Sequence, residues 1–152
     1  HPVTESITGI DLVQEQIKAA FGKKLSLRQK DIKINGHSIE CRINAEDPYN
    51  FTPSPGVINR FHFPGGPGIR VDTHAYDGYT VPSHYDSMIG KIIATGSNRE
   101  QAIARMRIAL SEMVVEGIKT NIPLHRDLMN DLAYKEGGVS IHYLENKLGI
   151  KS

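Results

Sequence analysis

The sequence HSIECRI, residues 37–43, alternates apolar and polar residues, and this pattern is typical of a β-strand with one buried face. Its apolar residues should share the face toward a core. They are Ile39, Cys41 and Ile43. Glu40 and Arg42 should point the other way, because successive side chains of a strand lie on opposite faces. The stretch therefore predicts a half-buried strand with a charged outer face.

A turn signal stands directly before this strand. Asn35-Gly36 is the dipeptide that best tolerates the positive φ angles of a tight hairpin. DIKI, residues 31–34, precedes it and contains two isoleucines. The arrangement predicts an antiparallel hairpin between DIKI and HSIECRI.

More strands are expected in the middle of the chain. Residues 47–68 hold most of the prolines, which remove backbone donors, so we expect irregular chain there apart from a short strand around VINRFHF (57–63). IRVDTH (69–74) and YTVPSHYDSMIGKIIATG (79–96) are rich in β-branched residues and predict further strands. An antiparallel sheet is the natural result.

Helices are predicted at both ends. Thr8 and Asp11 have the spacing of a capping box, and the apolar residues after them recur at helical spacing. These residues are Val13, Ile17 and Phe21. Asn98 and Gln101 form a second capping pair. Asn121 and Pro123 open a third helix with Leu124, Leu128 and Leu132 inside, and Ser140 opens a short last one that ends at Gly149. Central strands with helices at the ends predict an α+β fold, an antiparallel β-sheet with flanking helices.

Composition argues against several classes of protein. The 18 lysines and arginines nearly balance 17 acidic residues and are dispersed, so nucleic acid is not an expected partner. No apolar run approaches the roughly 20 residues of a membrane span, and residues 1–10 are not a signal peptide, so we expect a cytoplasmic protein. The seven histidines form no HxxxH pair, and the lone Cys41 has no thiol partner. We therefore expect no metal site in this chain.

Three features could bind a ligand. PGGPG (64–68) resembles a phosphate loop in composition, but strands flank it, which favours a hairpin connection. Gly137-Gly138 precedes the last helix, whose first N–H groups, at Ile141 and His142, could receive an anion, or the helix could simply be capped. Arg42 presents a planar fork of donors suited to carboxylate, bicarbonate or an oxyanion. Alternatively, Arg42 could be a solvated strand arginine that pairs with Glu40 or Glu46.

Four strings resemble one enzyme family in order and spacing. GHSIECRINAEDP (36–48) is similar to the biotin carboxylase signature at the start of its C-terminal domain, and VPSHYDSMIGKIIATGSNREQAIARM (81–106) is similar to the segment that follows. HPVTE (1–5) and GVSIHYLE (138–145) resemble the family in the same order. The resemblance implies that residues 1–30 are the tail of an ATP-grasp region and residues 31–152 the C-terminal domain. Because His1 is not an initiator methionine, we expect a fragment of a longer protein.

The resemblance also implies a chemistry. Such enzymes use ATP and Mg²⁺ (or Mn²⁺) to activate bicarbonate and carboxylate biotin on a carrier protein. Arg42 matches the family arginine assigned to bicarbonate and the biotin ureido oxygen, and a cation there is oxyanion-hole catalysis, typically on the order of 3 kcal/mol for one donor. Asp86 could orient Arg42 through an ion pair. Ile141 and His142 match positions near the adenine nucleotide.

Remaining implications concern assembly. Arg70 and Pro67 match a region through which bacterial members form homodimers, although Pro67 stands where relatives often carry a bulkier apolar residue. His1 and Glu5 should support the adjacent catalytic loop. The expected partners are a biotinylated carrier and carboxyltransferase subunits. We expect no carboxylase activity and no tight cofactor binding from this chain alone.

The function expected for the whole protein is the first half-reaction of acetyl-CoA carboxylase in fatty-acid synthesis. The same half-reaction also serves pyruvate, propionyl-CoA and methylcrotonyl-CoA carboxylases, which remain alternatives. A domain that only dimerises or docks the carrier is the alternative of another class.

Overall fold

Strand β6 (Met88–Gly96) lies at the centre of the main sheet, between β1 (His37–Asn44) and β4 (Ile69–Thr73). The structure, a computed structural model, describes residues 1–149. Both neighbours are antiparallel to β6, with His37 opposite Gly96 and Ile69 opposite Ala94. Both faces of β6 are covered, which explains why its sequence is almost continuously apolar.

Smaller elements surround this sheet. Two pairs of short antiparallel strands accompany it: β2 (Gly56–Val57) with β5 (Thr80–Val81), and β3 (Arg60–His62) with β7 (Val114–Glu116). The helices are α1 (Pro2–Thr8), α2 (Leu12–Ala20), α3 (Arg99–Glu112), α4 (Ile122–Asn130), α5 (Leu132–Glu136) and α6 (Tyr143–Leu148). This is the predicted α+β architecture, an antiparallel sheet with flanking helices. Within residues 1–149 no helix is both long and apolar enough to cross a membrane.

The main core lies between the sheet and α3. The predicted alternation of β1 is confirmed, because Ile39, Cys41 and Ile43 are buried while Arg42 is exposed. Opposite them, α3 contributes fully buried apolar side chains. These include Ala102, Met106 and Leu110. Asn98 caps α3 as predicted: its side chain accepts a hydrogen bond from the Gln101 N–H at 2.9 Å.

Helix α1 packs on the opposite face of the sheet. It contacts β1 and β6, and Ile93 on that face is fully buried although it lies outside the main core. Glu5 of α1 accepts a 2.8 Å hydrogen bond from Arg70 of β4. The sheet is therefore covered by α3 on one side and partly by α1 on the other.

The predicted hairpin before β1 is wrong. DIKI forms no strand, since Asp31 ends a short 3-10 helix and the Ile34 side chain is 73% exposed. Gly36 does adopt a positive φ of 69°, but the strand that follows it pairs with β6, where His37 lies opposite Gly96. A Cβ added at Gly36 would lie 2.3 Å from the carbonyl oxygen of Gly96. The pairing of β1 with β6 therefore takes the place of the local hairpin.

The first helical region also differs from its prediction. Thr8 does not begin a helix but is the last residue of α1, and its hydroxyl donates to the Thr4 carbonyl. Asp11 is the N-cap of α2 and accepts from the Gln14 N–H at 2.9 Å. The three apolar residues whose spacing predicted this helix are all more than half exposed. They are Val13, Ile17 and Phe21.

Three further corrections concern loops and the C-terminal helices. PGGPG joins β3 to β4, which belong to different sheets, so it is a turn but not a hairpin connection. Leu132 begins α5 and is 73% exposed, because the predicted third helix ends at Asn130. The last helix begins at Tyr143 rather than at Ser140, whose hydroxyl and carbonyl instead accept from His142 and Tyr143.

Candidate functional site

Arg42 lies on the outer face of β1 with its side chain 66% exposed. Its Nε donates to Glu40 Oε1 at 3.4 Å, and Lys91 Nζ, on the neighbouring strand, lies 3.8 Å from the same oxygen. The pairing with Glu40, one of the two interpretations that the sequence left open, is therefore present. It is long and exposed and contributes little to stability. Two cations consequently share one carboxylate, and the Nη groups of Arg42 make no ion pair or hydrogen bond within residues 1–149.

The backbone of Arg42 is held more firmly than its side chain. Its carbonyl oxygen accepts from Asn121 Nδ2 at 3.0 Å and from His125 Nε2 at 2.7 Å. Burial lowers the pKa of His125, so its neutral ring must carry the proton on Nε2 to make this bond. Neither contact was predicted from the sequence. Asn121 was recognised only as a helix opener, and a contact across 79 residues has no local signal.

The ion pair predicted between Asp86 and Arg42 does not form. Asp86 Oδ1 accepts a hydrogen bond from the Met88 N–H at 2.8 Å. Such a side chain to backbone bond, two residues along, is typical of a turn, here the one that leads into β6. Asp86 does line a cleft of about 340 Å³ with Tyr85 and His74. A neighbouring cleft shares His74 and extends to Lys91. Asp86 is thus bound to the backbone just before β6 and is not a direct partner of the arginine.

Helix α1 brings two more of the predicted residues to this sheet. Glu5 is anchored by Arg70 at 2.8 Å, and His1 Nδ1 lies 2.5 Å from the Thr4 hydroxyl within the same first turn. Helix α1 therefore packs on the face of the sheet that carries Arg42.

Arg70 and Pro67, the predicted interface residues, are both exposed. Arg70 makes a two-point contact with Asp72, at 2.8 and 2.7 Å, in addition to its bond with Glu5. Hydrogen bonds to these two carboxylates raise the pKa of Arg70. Within this chain, Arg70 therefore joins α1 to β4.

Ile141 and His142 lie just before α6. The side chain of Ile141 is 90% exposed, and His142 Nδ1 lies 2.9 Å from Glu145 Oε2. Asp131 anchors α6 by accepting hydrogen bonds from the Tyr143 hydroxyl and Lys147 Nζ. These bonds hold the pKa of Asp131 well below its usual range. A large apolar side chain is thus presented to solvent on an anchored segment.

Two other candidate chemistries are not supported by the geometry. Cys41 is 2% exposed, and burial raises the pKa of its thiol to about 12, so it is not a nucleophile at neutral pH. Among residues 1–149, no three His, Cys, Asp or Glu side chains are grouped so that they could hold a metal ion.

Two family models match this chain. The model of the biotin carboxylase C-terminal domain matches residues 40–146, which include most of β1, with Arg42, and the start of α6. The chain belongs to the biotin carboxylase family. Residues 1–28, which contain α1 and α2, match a second model, the ATP-binding domain of the carbamoyl-phosphate synthase L chain.

The curated relatives of this chain are much longer proteins. Biotin carboxylase of Pseudomonas aeruginosa is 59% identical over 150 residues, covering 99% of this chain and 33% of that protein. A pyruvate carboxylase subunit from Methanothermobacter thermautotrophicus is 51% identical over 146 residues, covering 95% of this chain and 30% of that protein. The chain thus spans about a third of the length of the curated biotin carboxylases it matches.

A solved structure shares the fold. The biotin carboxylase domain dimer of Hydrogenobacter thermophilus 2-oxoglutarate carboxylase, in complex with MgADP, ADP and bicarbonate, superposes with a TM-score of 0.91 at 48% identity. The match covers 96% of this chain and 32% of that one. The fold of this biotin carboxylase C-terminal domain is therefore that of part of an ATP-grasp enzyme.

Proposed function

We propose that this chain is the biotin-facing part of an enzyme that uses ATP and bicarbonate to carboxylate biotin on a carrier protein. One observation carries the proposal: the guanidinium of Arg42 is exposed, forked and next to Lys91, on the sheet face that α1 covers in part. The chain spans about a third of its relatives, so the activity is that of the longer protein.

The residues present fit a small oxyanion. Arg42 keeps its Nη donors available, and Glu40 leaves the Arg42–Lys91 cluster with a net positive charge. ATP and Mg²⁺ (or Mn²⁺), when bound, supply the activation of bicarbonate. Arg42 holds a bicarbonate oxygen and then the ureido oxygen of biotin as that oxygen gains negative charge. Asp86 is proposed as a secondary residue of this site, held just before β6 by its bond with the Met88 N–H.

The nucleotide is proposed to lie against the segment before α6. Ile141 offers an exposed apolar side chain on which a base can pack, and His142 stands beside it. The dimeric Hydrogenobacter biotin carboxylase domain supports a homodimer here as well. Arg70 and Pro67, which are both exposed, are proposed to lie at its interface. We further propose that residues 1–30 belong to the ATP-grasp region and residues 31–152 to the C-terminal domain. A cytoplasmic location and contacts with a biotinylated carrier and carboxyltransferase subunits complete the proposal.

Acetyl-CoA, in fatty-acid synthesis, is the proposed final acceptor of the carboxyl group. Relatives named biotin carboxylase reach 61% identity, against 51% for the Methanothermobacter pyruvate carboxylase relative. Pyruvate is the main alternative, and propionyl-CoA and methylcrotonyl-CoA carboxylases share the half-reaction. A domain that only dimerises or docks the carrier is the non-catalytic alternative.

Replacement of Arg42 by alanine in the full-length protein separates chemistry from scaffolding. We expect kcat for ATP-dependent carboxylation of free biotin to fall about 100-fold or more, because one oxyanion donor is lost. Melting temperature and dimer mass should stay unchanged, since the side chain is exposed. Arg107→Ala, an exposed arginine on α3, is the matched control and should keep full turnover. A dissociated dimer with normal kcat would instead support the scaffold.

A further inference from the structure

Strand β1 is at an edge of the main sheet, with β6 on one side only. The backbone groups on its other side need partners, since an open edge leaves N–H and C=O groups unpaired. At Arg42 and Asn44 these partners come from the start of α4. The register of β1 against β6 also shifts between Ile43 and Asn44, so the ladder is irregular at this point although Asn44 still pairs with Met88.

Asn121 by itself supplies the hydrogen-bond partners that a neighbouring strand would otherwise provide at this part of the edge. Its Nδ2 donates to the Arg42 carbonyl at 3.0 Å, and its Oδ1 accepts from the Asn44 N–H at 2.9 Å. Its own N–H donates to the Asn44 carbonyl at 3.2 Å. Asn121 is 5% exposed, and its amide uses both of its polar atoms on β1. The side chain thus replaces a missing strand beside the candidate catalytic residue.

His125 is one helical turn further along α4 and donates to the same Arg42 carbonyl at 2.7 Å. The carbonyl therefore has two donors from one helix. By contrast, the guanidinium of Arg42 has, among residues 1–149, only the exposed 3.4 Å contact with Glu40. The position of the Arg42 side chain is thus set mainly by the hydrogen bonds that hold its backbone.

We propose that Asn121 and His125 are positioning residues for Arg42, which hold its backbone so that the guanidinium reaches bicarbonate and the biotin ureido oxygen. The inference rests on the proposed function. Displacement of a catalytic group by about 1 Å can cost on the order of 100-fold in rate, so loss of such a clamp reduces turnover even when the fold persists.

The test uses the full-length enzyme with ATP, bicarbonate and free biotin. We expect Asn121→Ala and His125→Ala each to lower kcat about tenfold or more while KM for ATP stays unchanged. His125→Gln, whose amide can still donate, should recover much of the loss. The double variant Asn121→Ala, Arg42→Ala should turn over no more slowly than Arg42→Ala alone, because a positioning residue acts only through its target.

Asn98→Ala is the control for a merely structural role. It removes a helix cap far along the chain from Arg42 and should reduce melting temperature without the fall in kcat. Two outcomes would overturn the inference. One is a double variant whose kcat falls below that of Arg42→Ala alone, and the other is an equal fall in kcat in Asn98→Ala. If Asn121→Ala does not fold, the pair His125→Ala and His125→Gln decides. Normal kcat in Arg42→Ala would instead refute the proposed function itself.

Discussion

Adjacent residues of β1 have opposite surroundings. Cys41 is 2% exposed and packs in the main core, whereas the side chain of Arg42 is 66% exposed on the other face. The alternation of strand side chains alone separates a small core residue from a candidate catalytic cation. This contrast also determines which of the two can react with a solute.

The Cys41 thiol should resist alkylation in the native protein. Burial raises its pKa to about 12, so little thiolate exists at pH 8 and solvent has no access to it. Mass spectrometry after iodoacetamide treatment should show an unmodified native chain and complete labelling in urea. Native labelling as fast as that in urea would show that β1 does not bury this side chain.

At the scale of elements, a carboxylate joins α2 to the chain that follows it. Glu15 accepts from the Ser26 hydroxyl at 2.7 Å and the Ser26 N–H at 3.2 Å, with Lys18 Nζ at 2.8 Å. These bonds lower the pKa of Glu15 from 4.5 to about 2. Val13 and Ile17 of α2 are more than half exposed, so Glu15 rather than an apolar stripe attaches α2 to the segment around Ser26.

Glu15→Gln should lower the melting temperature by a few degrees at pH 7. A carboxyl with a depressed folded pKa stabilises the fold above its unfolded pKa of 4.5, and this contribution is lost as the pH falls toward 2. The difference between variant and parent should therefore shrink across that window in thermal melts. Glu116→Gln, at an exposed site on β7, is the control and should change little at either pH. A difference that stays constant from pH 7 to pH 2 would contradict the role of the ionised carboxylate.

At the scale of the whole molecule, α1 and the main sheet form one packed unit. The two family models divide here, since α1 lies in the part matched to the ATP-binding domain and the sheet in the part matched to the biotin carboxylase C-terminal domain. Ile93 is fully buried on the shared face, and Arg70 links Glu5 to Asp72 at its border. The boundary between sequence families is thus not a boundary in packing.

Ile93→Ala should destabilise the chain by about 2–5 kcal/mol, because it removes a fully buried side chain and leaves a cavity. Ile108→Ala makes the same change where the side chain is 66% exposed, and should cost less than about 0.5 kcal/mol. Urea unfolding of the two variants measures the difference. Equal losses would show that α1 does not close over this face of the sheet.

Local patterns in the sequence predicted much of this biotin carboxylase C-terminal domain. The alternation in β1, the cap at Asn98 and the exposed position of Arg42 all depend on neighbours within a few residues, so they can be read without a structure. The motifs around Arg42 indicated the family for the same reason, since they are short and contiguous.

The tertiary structure alone decided how these pieces meet. Pairing of β1 with β6 joins His37 to Gly96, and it replaced a hairpin that the turn residues favoured. The contact of Asn121 with the Arg42 carbonyl likewise spans 79 residues, and no residue near Arg42 in the sequence indicated it. Such contacts depend on which elements pack together and on which backbone groups remain unpaired at a sheet edge, and no local pattern records either.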